Sequence, residues 1–155
     1  MAARSDKAES ENGSIGLPDC GDSIDPVTFE QILEMDEDEE EREFSKSIVF
    51  GFFEQAEVTF QKMDTALQEK DLPVLSSLGH FLKGSSATIG LNKVKDSCEK
   101  IQHFGSHKDE HGADAGYDDA RCLTLITTTL KALKGEYQEA ERILRQFYRD
   151  PDAHA

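Results

Sequence analysis

The sequence predicts an all-α fold, an up-and-down four-helix bundle with a short additional N-terminal helix. Three observations carry that prediction. Apolar residues recur in alternating steps of three and four along four long segments, the spacing of a single buried helical stripe. Asp-Pro and Asp-Leu-Pro signals open segments, and Gly90 closes one. No segment shows period-two alternation flanked by hairpin turns, so strands are not expected.

Residues 1–23 are rich in Ser, Gly, Asp and Glu and poor in apolar residues, and they read as a disordered tail. Asp25-Pro26 then opens the short helix, with Asp25 as N-cap and Pro26 at the first helical position. Its apolar members are Val27, Phe29, Ile32, Leu33 and Met35. The six consecutive acidic residues Asp36 to Glu41 are expected to form a solvated turn and the first turn of the next helix, where negative charge suits the dipole.

From about Glu40 to Lys70, Val49, Phe53, Ala56, Phe60, Met63 and Leu67 make one stripe. Phe44, Ile48 and Phe52 make a second stripe at i, i+4 and i+8, which a single core does not need. Asp71 caps the next helix, with Pro73 in its first turn; Leu75, Leu82 and Ile89 form its core line, and Gly79 and Ser86 are small residues between them. Gly90 ends it as a left-handed cap. A helix from about Leu91 to Phe104 buries Leu91, Val94, Cys98 and Ile101, and the polar stretch Gly105 to Gly116 is a loop. The last helix runs from about Tyr117 to Tyr148 on Leu123, Ile126, Leu130, Leu133, Tyr137, Ala140, Leu144 and Phe147, with Gly135 as its weak point and Asp150-Pro151 as its stop. Residues 24–150 are thus the bundle domain, and 151–155 a short tail.

With 32 acidic against 17 basic residues, the formal net charge of −15 argues against nucleic acid or an anionic membrane as partner. It permits a basic protein partner. No apolar run approaches the roughly 20 residues of a membrane span, and Met1 to Asn12 has no signal-peptide core. Cys20, Cys98 and Cys122 form an odd, scattered set without a CxxC pair, as expected of reduced thiols in a cytoplasmic or nuclear protein.

The chemistry concentrates in His80-Phe81-Leu82-Lys83-Gly84-Ser85-Ser86. His80, Lys83 and Gly84 fall at i, i+3 and i+4, which sets an imidazole, an ammonium and a missing side chain on one helical face. At about 100° per residue, His80 lies about 160° from Leu82 and about 140° from Leu75, so it points to solvent. A neutral imidazole near pH 7 keeps one ring nitrogen free as a nucleophile, while the other can be held by a hydrogen bond. Lys83 can offset the charge of a phosphoryl group on that ring. Gly84 costs about 1 kcal/mol relative to Ala on an exposed helix face, which points to open space as the requirement. Gln102, at the edge of the following core stripe, is a candidate to hold the ring, although a partly exposed amide needs no such role.

The segment Leu78 to Ala87 resembles the active-site helix of the histidine-containing phosphotransfer (HPt) proteins. It is most similar to the fungal intermediates of the osmosensing multistep phosphorelay. Gly90-Leu91, Cys98-Glu99-Lys100-Ile101-Gln102, Met35 with its acidic run, Phe44-Ser45-Lys46 and Gln55-Ala56 are also similar to that type, over about residues 24 to 149. The resemblance implies a four-helix bundle in which His80 takes a phosphoryl group from the receiver aspartate of a hybrid sensor histidine kinase and passes it to the receiver aspartates of response regulators. It implies phosphate neutralisation by Lys83, steric access at Gly84, a ring hydrogen bond from Gln102 and a small polar role for Ser85. It further implies a monomeric phosphocarrier without kinase activity or a cofactor of its own, with Mg²⁺ held by the receiver. Where fungal members often carry an arginine just after the Gln102 helix, this sequence has Ser106 and His107, with Lys108 next. An apolar docking surface beside His80 would then use Ile32, Met35, Phe44, Ile48, Phe52 and Phe81, partly covered by the first helix.

Two other readings compete. His103, His107 and His111 are spaced by four and would make a metal face on a continuous helix, but Gly105 and Gly112 argue for a loop there. A helical adaptor binding receivers without chemistry would explain the apolar stripe and the acidic run, but not Lys83 and Gly84 beside an exposed His80.

Overall fold

Short connections dictate how the helices meet. The computed structural model describes residues 23–37 and 42–148. They form α1 (Pro26–Leu33), α2 (Glu43–Glu69), α3 (Leu72–Ile89), α4 (Asn92–Phe104) and α5 (Asp119–Phe147). Among the described residues the only β feature is an isolated bridge between Lys108 and Asp114. Two residues join α2 to α3 and two join α3 to α4, so each pair must run antiparallel. α3 packs on α2 and α4, α4 on α5, and α5 closes back on α2. This is the up-and-down bundle, with α1 laid across α2 and α3.

Side chains written in the sequence set the helix ends. Asp25 accepts from the Val27 N–H and Asp71 from the Val74 N–H, while Asp118 accepts from the Arg121 N–H. Each satisfies a donor that the first turn leaves free. Gly90 closes α3 at φ +83°, where its carbonyl receives the Asp25 N–H at 2.7 Å and so ties α1 to the α3–α4 turn.

The core follows the stripes. Val49, Phe53, Ala56, Phe60 and Met63 of α2 are buried against Leu75, Leu82 and Ile89 of α3 and Leu91, Val94, Cys98 and Ile101 around α4. Ile126, Leu130, Leu133, Tyr137, Ala140 and Leu144 of α5 complete it, whereas Leu67, Leu123 and Phe147 sit half-buried at its margin. Burying this much apolar surface stabilises the fold at roughly 25 cal/mol per Å².

Several boundaries differ from expectation. Ser23, assigned to the N-terminal tail, is buried beside Ile24 and belongs to the packed domain. Residues 1–22 and the 151–155 tail lie outside the described residues, as do Cys20, the Asp150-Pro151 stop and residues 38–41 of the acidic run. Asp36, the first of that run, is not a free solvated charge. Its carboxylate accepts the Ser45 N–H at 2.8 Å and the Ser45 hydroxyl at 2.7 Å, capping α2 from nine residues upstream. α2 accordingly starts at Glu43, later than the acidic run implied, after Arg42 in the left-handed region at φ 51°. No helix among the described residues is long and apolar enough to cross a membrane.

Candidate functional site

α3 carries the site because its two flanks are occupied and its outer face is not. Leu75, Leu82 and Ile89 point inward and are fully buried, which leaves His80 and Gly84 on the solvent side. The His80 imidazole is exposed and joins no hydrogen bond or ion pair among the described residues. A Cβ built on Gly84 meets nothing within 4 Å. Open space beside an unengaged imidazole is what the spacing predicted.

On one flank, α4 approaches closely because Gly79 has no side chain. A Cβ there would stand 2.7 Å from the Cys98 carbonyl oxygen and 2.9 Å from the Gln102 nitrogen, so only glycine fits. This register sets Lys83 opposite Glu99, with Nζ 3.8 Å from Oε2. Gln102 lies one turn further along α4. No hydrogen bond joins it to His80 in this arrangement, and its side-chain oxygen Oε1 is buried without a partner. An unpaired buried acceptor is costly, so it stands ready for a donor. Next to it the Ser76 hydroxyl donates to the Gln102 carbonyl at 2.8 Å and lies 3.0 Å from the Ser106 hydroxyl.

On the other flank lies α2. Ser85 belongs to this side and not to the Lys83 side, because five residues turn it about 140° from His80. Its hydroxyl makes only long contacts, 3.5 Å to Gln55 Oε1 and 3.4 Å to the Phe81 carbonyl. Between α2 and α3 runs a groove of about 340 Å³ bounded by Ile48, Gly51, Phe52, Gln55 and Ser85. Gly51 leaves it open, since a Cβ there would meet nothing within 4 Å.

The expected apolar surface is smaller than the sequence implied. Ile32 and Phe52 are buried, at 8% and 4% exposure, and are core residues instead of docking residues. Ile32 is on the face of α1 that packs onto the bundle, and Phe52 packs against Phe53 and Tyr137 with ring centroids 6.5 and 6.2 Å away. The i, i+4, i+8 spacing could not reveal the burial of Phe52, because Tyr137 comes from distant sequence. Met35 (63%), Phe81 (50%) and Phe44 (42%) remain exposed, and Ile48 is half-buried.

The three histidines do not share a face. α4 ends at Phe104, after which His103 Nδ1 meets the Glu110 carbonyl at 3.0 Å and His107 Nε2 meets Asp119 Oδ1 at 2.6 Å. The His111 ring instead faces Glu110.

The Hpt domain family model matches residues 48–143, from Ile48 in α2 to Ile143 in α5. The chain belongs to the Hpt domain family. It is 48% identical over 125 residues to multistep phosphorelay regulator 1 of Schizosaccharomyces pombe, covering 81% of this chain and 42% of that protein. It is 52% identical over 92 residues to the phosphorelay intermediate protein YPD1 of Candida albicans, covering 59% of this chain and 48% of that one. The chain thus spans about half the length of these curated relatives. Among solved structures, it superposes on Saccharomyces cerevisiae Ypd1 crystallised with the receiver domain of its downstream response regulator Ssk1. The TM-score is 0.71 at 31% identity, over 84% of this chain and 97% of that one. The yeast phosphorelay protein Ypd1 alone gives a TM-score of 0.73 at 28% identity, over 82% and 95% of the two chains. Within this Hpt domain the matched span includes His80, Lys83, Gly84, Glu99 and Gln102 together.

Glu99 and Gly51 are the site residues that sequence reasoning missed. Glu99 is sixteen positions from Lys83, beyond any helical period, and only the Gly79 contact fixes the register that pairs them. Gly51 carries a sequence signal, a glycine within a strong helical pattern.

Proposed function

We propose that this protein is the phosphotransfer intermediate of a multistep phosphorelay, with His80 as its phosphoryl carrier. The observation that carries this reading is the exposed, unengaged His80 imidazole with Lys83 one turn away and the open face of Gly84 beside it. The Hpt family membership supports it.

In the forward step, the lone pair of one His80 ring nitrogen attacks phosphorus as the aspartyl O–P bond of the donor receiver breaks. The aspartate leaves with that bond's electron pair, and the other ring nitrogen keeps its proton. Lys83 offsets charge on the phosphoryl oxygens, and Gln102 Oε1 is the acceptor for the ring N–H once the two side chains turn toward each other. The second transfer reverses these movements onto a response-regulator aspartate. In-line placement of the two partners supplies most of the rate, and Mg²⁺ belongs to the receiver. The donor is the receiver domain of a hybrid sensor histidine kinase, and the protein is a stoichiometric, monomeric carrier without kinase activity.

Recognition is assigned to the α1–α2 side. Met35, Phe44, Ile48 and Phe81 offer the apolar contact, Gly51 opens the groove and Ser85 with Gln55 gives it a polar floor. A receiver with an apolar docking patch and a basic rim fits a chain of net charge −15.

Incubation with a phosphorylated receiver and Mg²⁺, followed by mass spectrometry at neutral to alkaline pH, tests the reading. Acid-labile phosphate on His80 that is absent from His80→Gln is expected. A chain that binds several competent receivers and takes phosphate from none would be a helical adaptor instead.

A further inference from the structure

We infer that Glu99 is a positioning residue that draws Lys83 away from the phosphoryl group and so sets how readily His80 gives that group up; this rests on His80 being the carrier. The Lys83 side chain leans to the α4 flank, only 27% exposed, and its ammonium stands 3.8 Å from Glu99 Oε2. That separation is longer than the 2.7–2.9 Å of a closed charge-assisted hydrogen bond. The ammonium is tethered and not locked, and it can turn to a phosphoryl group one helical turn away.

Glu136 of α5 accepts the Ser97 hydroxyl at 2.6 Å beside Cys98, and Lys83 and Glu136 act on the Cys98 thiol with opposite sign. The acidic group that holds Lys83 on the α4 flank is Glu99, 3.8 Å away. When phosphorus bonds to the His80 nitrogen, the incoming oxygens compete with Glu99 for one cation. Whatever Lys83 gives to the phosphate it withdraws from Glu99. The phosphorylated site is correspondingly less stable than one in which residue 99 is neutral, and passing the group on to an aspartate restores the pair. A carrier benefits from this, because a group held too well is not handed on.

The test is the equilibrium partition of phosphoryl groups between a receiver aspartate and His80, at fixed Mg²⁺ and ionic strength. It compares the full chain with Glu99→Gln, Lys83→Ala and the double variant. Glu99→Gln is expected to raise the phospho-His80 to phosphoaspartate ratio about two- to fivefold, the range for a partly exposed ion pair. The gain should vanish in the Lys83→Ala background, which a merely structural role of Glu99 would not produce. Unchanged or lowered partition in Glu99→Gln, with His80 labelled as in wild type, would overturn the role of Glu99 and leave the carrier intact. A full gain retained without Lys83 would equally overturn it. No label on wild-type His80 would remove the carrier reading itself, and this inference with it.

Discussion

Replacing Gly84 with alanine should push stability and transfer in opposite directions. The added methyl meets nothing within 4 Å, so the folded chain accommodates it without a shift. In a helix interior the change removes the glycine penalty of about 1 kcal/mol, which raises the melting temperature by roughly 2–4 °C for a domain of this size. The same methyl stands one turn from His80, in the space through which, in the proposed transfer, a receiver would bring its aspartate. Overfilling a close-packed contact costs about 1–3 kcal/mol, which corresponds to a roughly 5- to 150-fold loss in transfer rate. Gly79→Ala is the contrast. Its methyl would sit 2.7 Å from the Cys98 carbonyl and 2.9 Å from the Gln102 nitrogen, both backbone atoms that cannot rotate aside. It is expected to melt lower than wild type. Rapid-quench transfer from a phosphorylated receiver, paired with thermal melts of both variants, reads the two effects separately. A Gly84→Ala protein that transfers at the wild-type rate would refute the steric argument, and one that melts lower would refute the geometry behind it.

Three further predictions concern the scaffold and its docking face. Asp36→Ala leaves the buried Ser45 hydroxyl and N–H without their shared acceptor and should cost about 1–3 kcal/mol in urea unfolding. Burial pushes the Cys98 thiol up from 9.0 to about 12, so above pH 9 the unfolded chain loses a proton that the folded chain keeps. Stability is therefore full below pH 9 and falls as pH rises toward 12, by about 1.4 kcal/mol per unit from this group. Urea titrations at pH 8 and pH 10 should show a shallower loss for Cys98→Ala than for wild type. Phe81→Ser, at a ring 50% exposed, is expected to leave the melting temperature within a few degrees of wild type. It should weaken receiver binding about tenfold by titration calorimetry.

The bundle was legible because local signals carried it. Asp25, Asp71 and Gly90 marked helix ends within a residue, and the three-four stripes of α2 to α5 became the core. The His80 face was legible for the same reason, since Lys83 and Gly84 lie within four residues of it. What stayed hidden depended on register between helices. Phe52 looked like a surface residue until Tyr137, eighty-five positions away, covered it. Ile32 and Ser23 were misjudged because α1 folds down on the bundle, and the reach of Asp36 to Ser45 spans a turn that no periodicity describes. Ser85, adjacent in sequence to Gly84, ended on the opposite flank because an odd step of five crosses the helix.

The position of α3 between α2 and α4 has an evolutionary corollary. In the proposed function, one border of the histidine, Ile48 and Gly51 of α2 with Phe81 of α3, is the surface a visiting protein would read. The other is the charged pair Lys83 and Glu99, which on the same proposal would act on the phosphoryl group alone. Because the two borders lie on opposite sides of α3, changes in α2 would alter which proteins such a carrier meets while leaving untouched the charged pair that would set how tightly it holds its cargo.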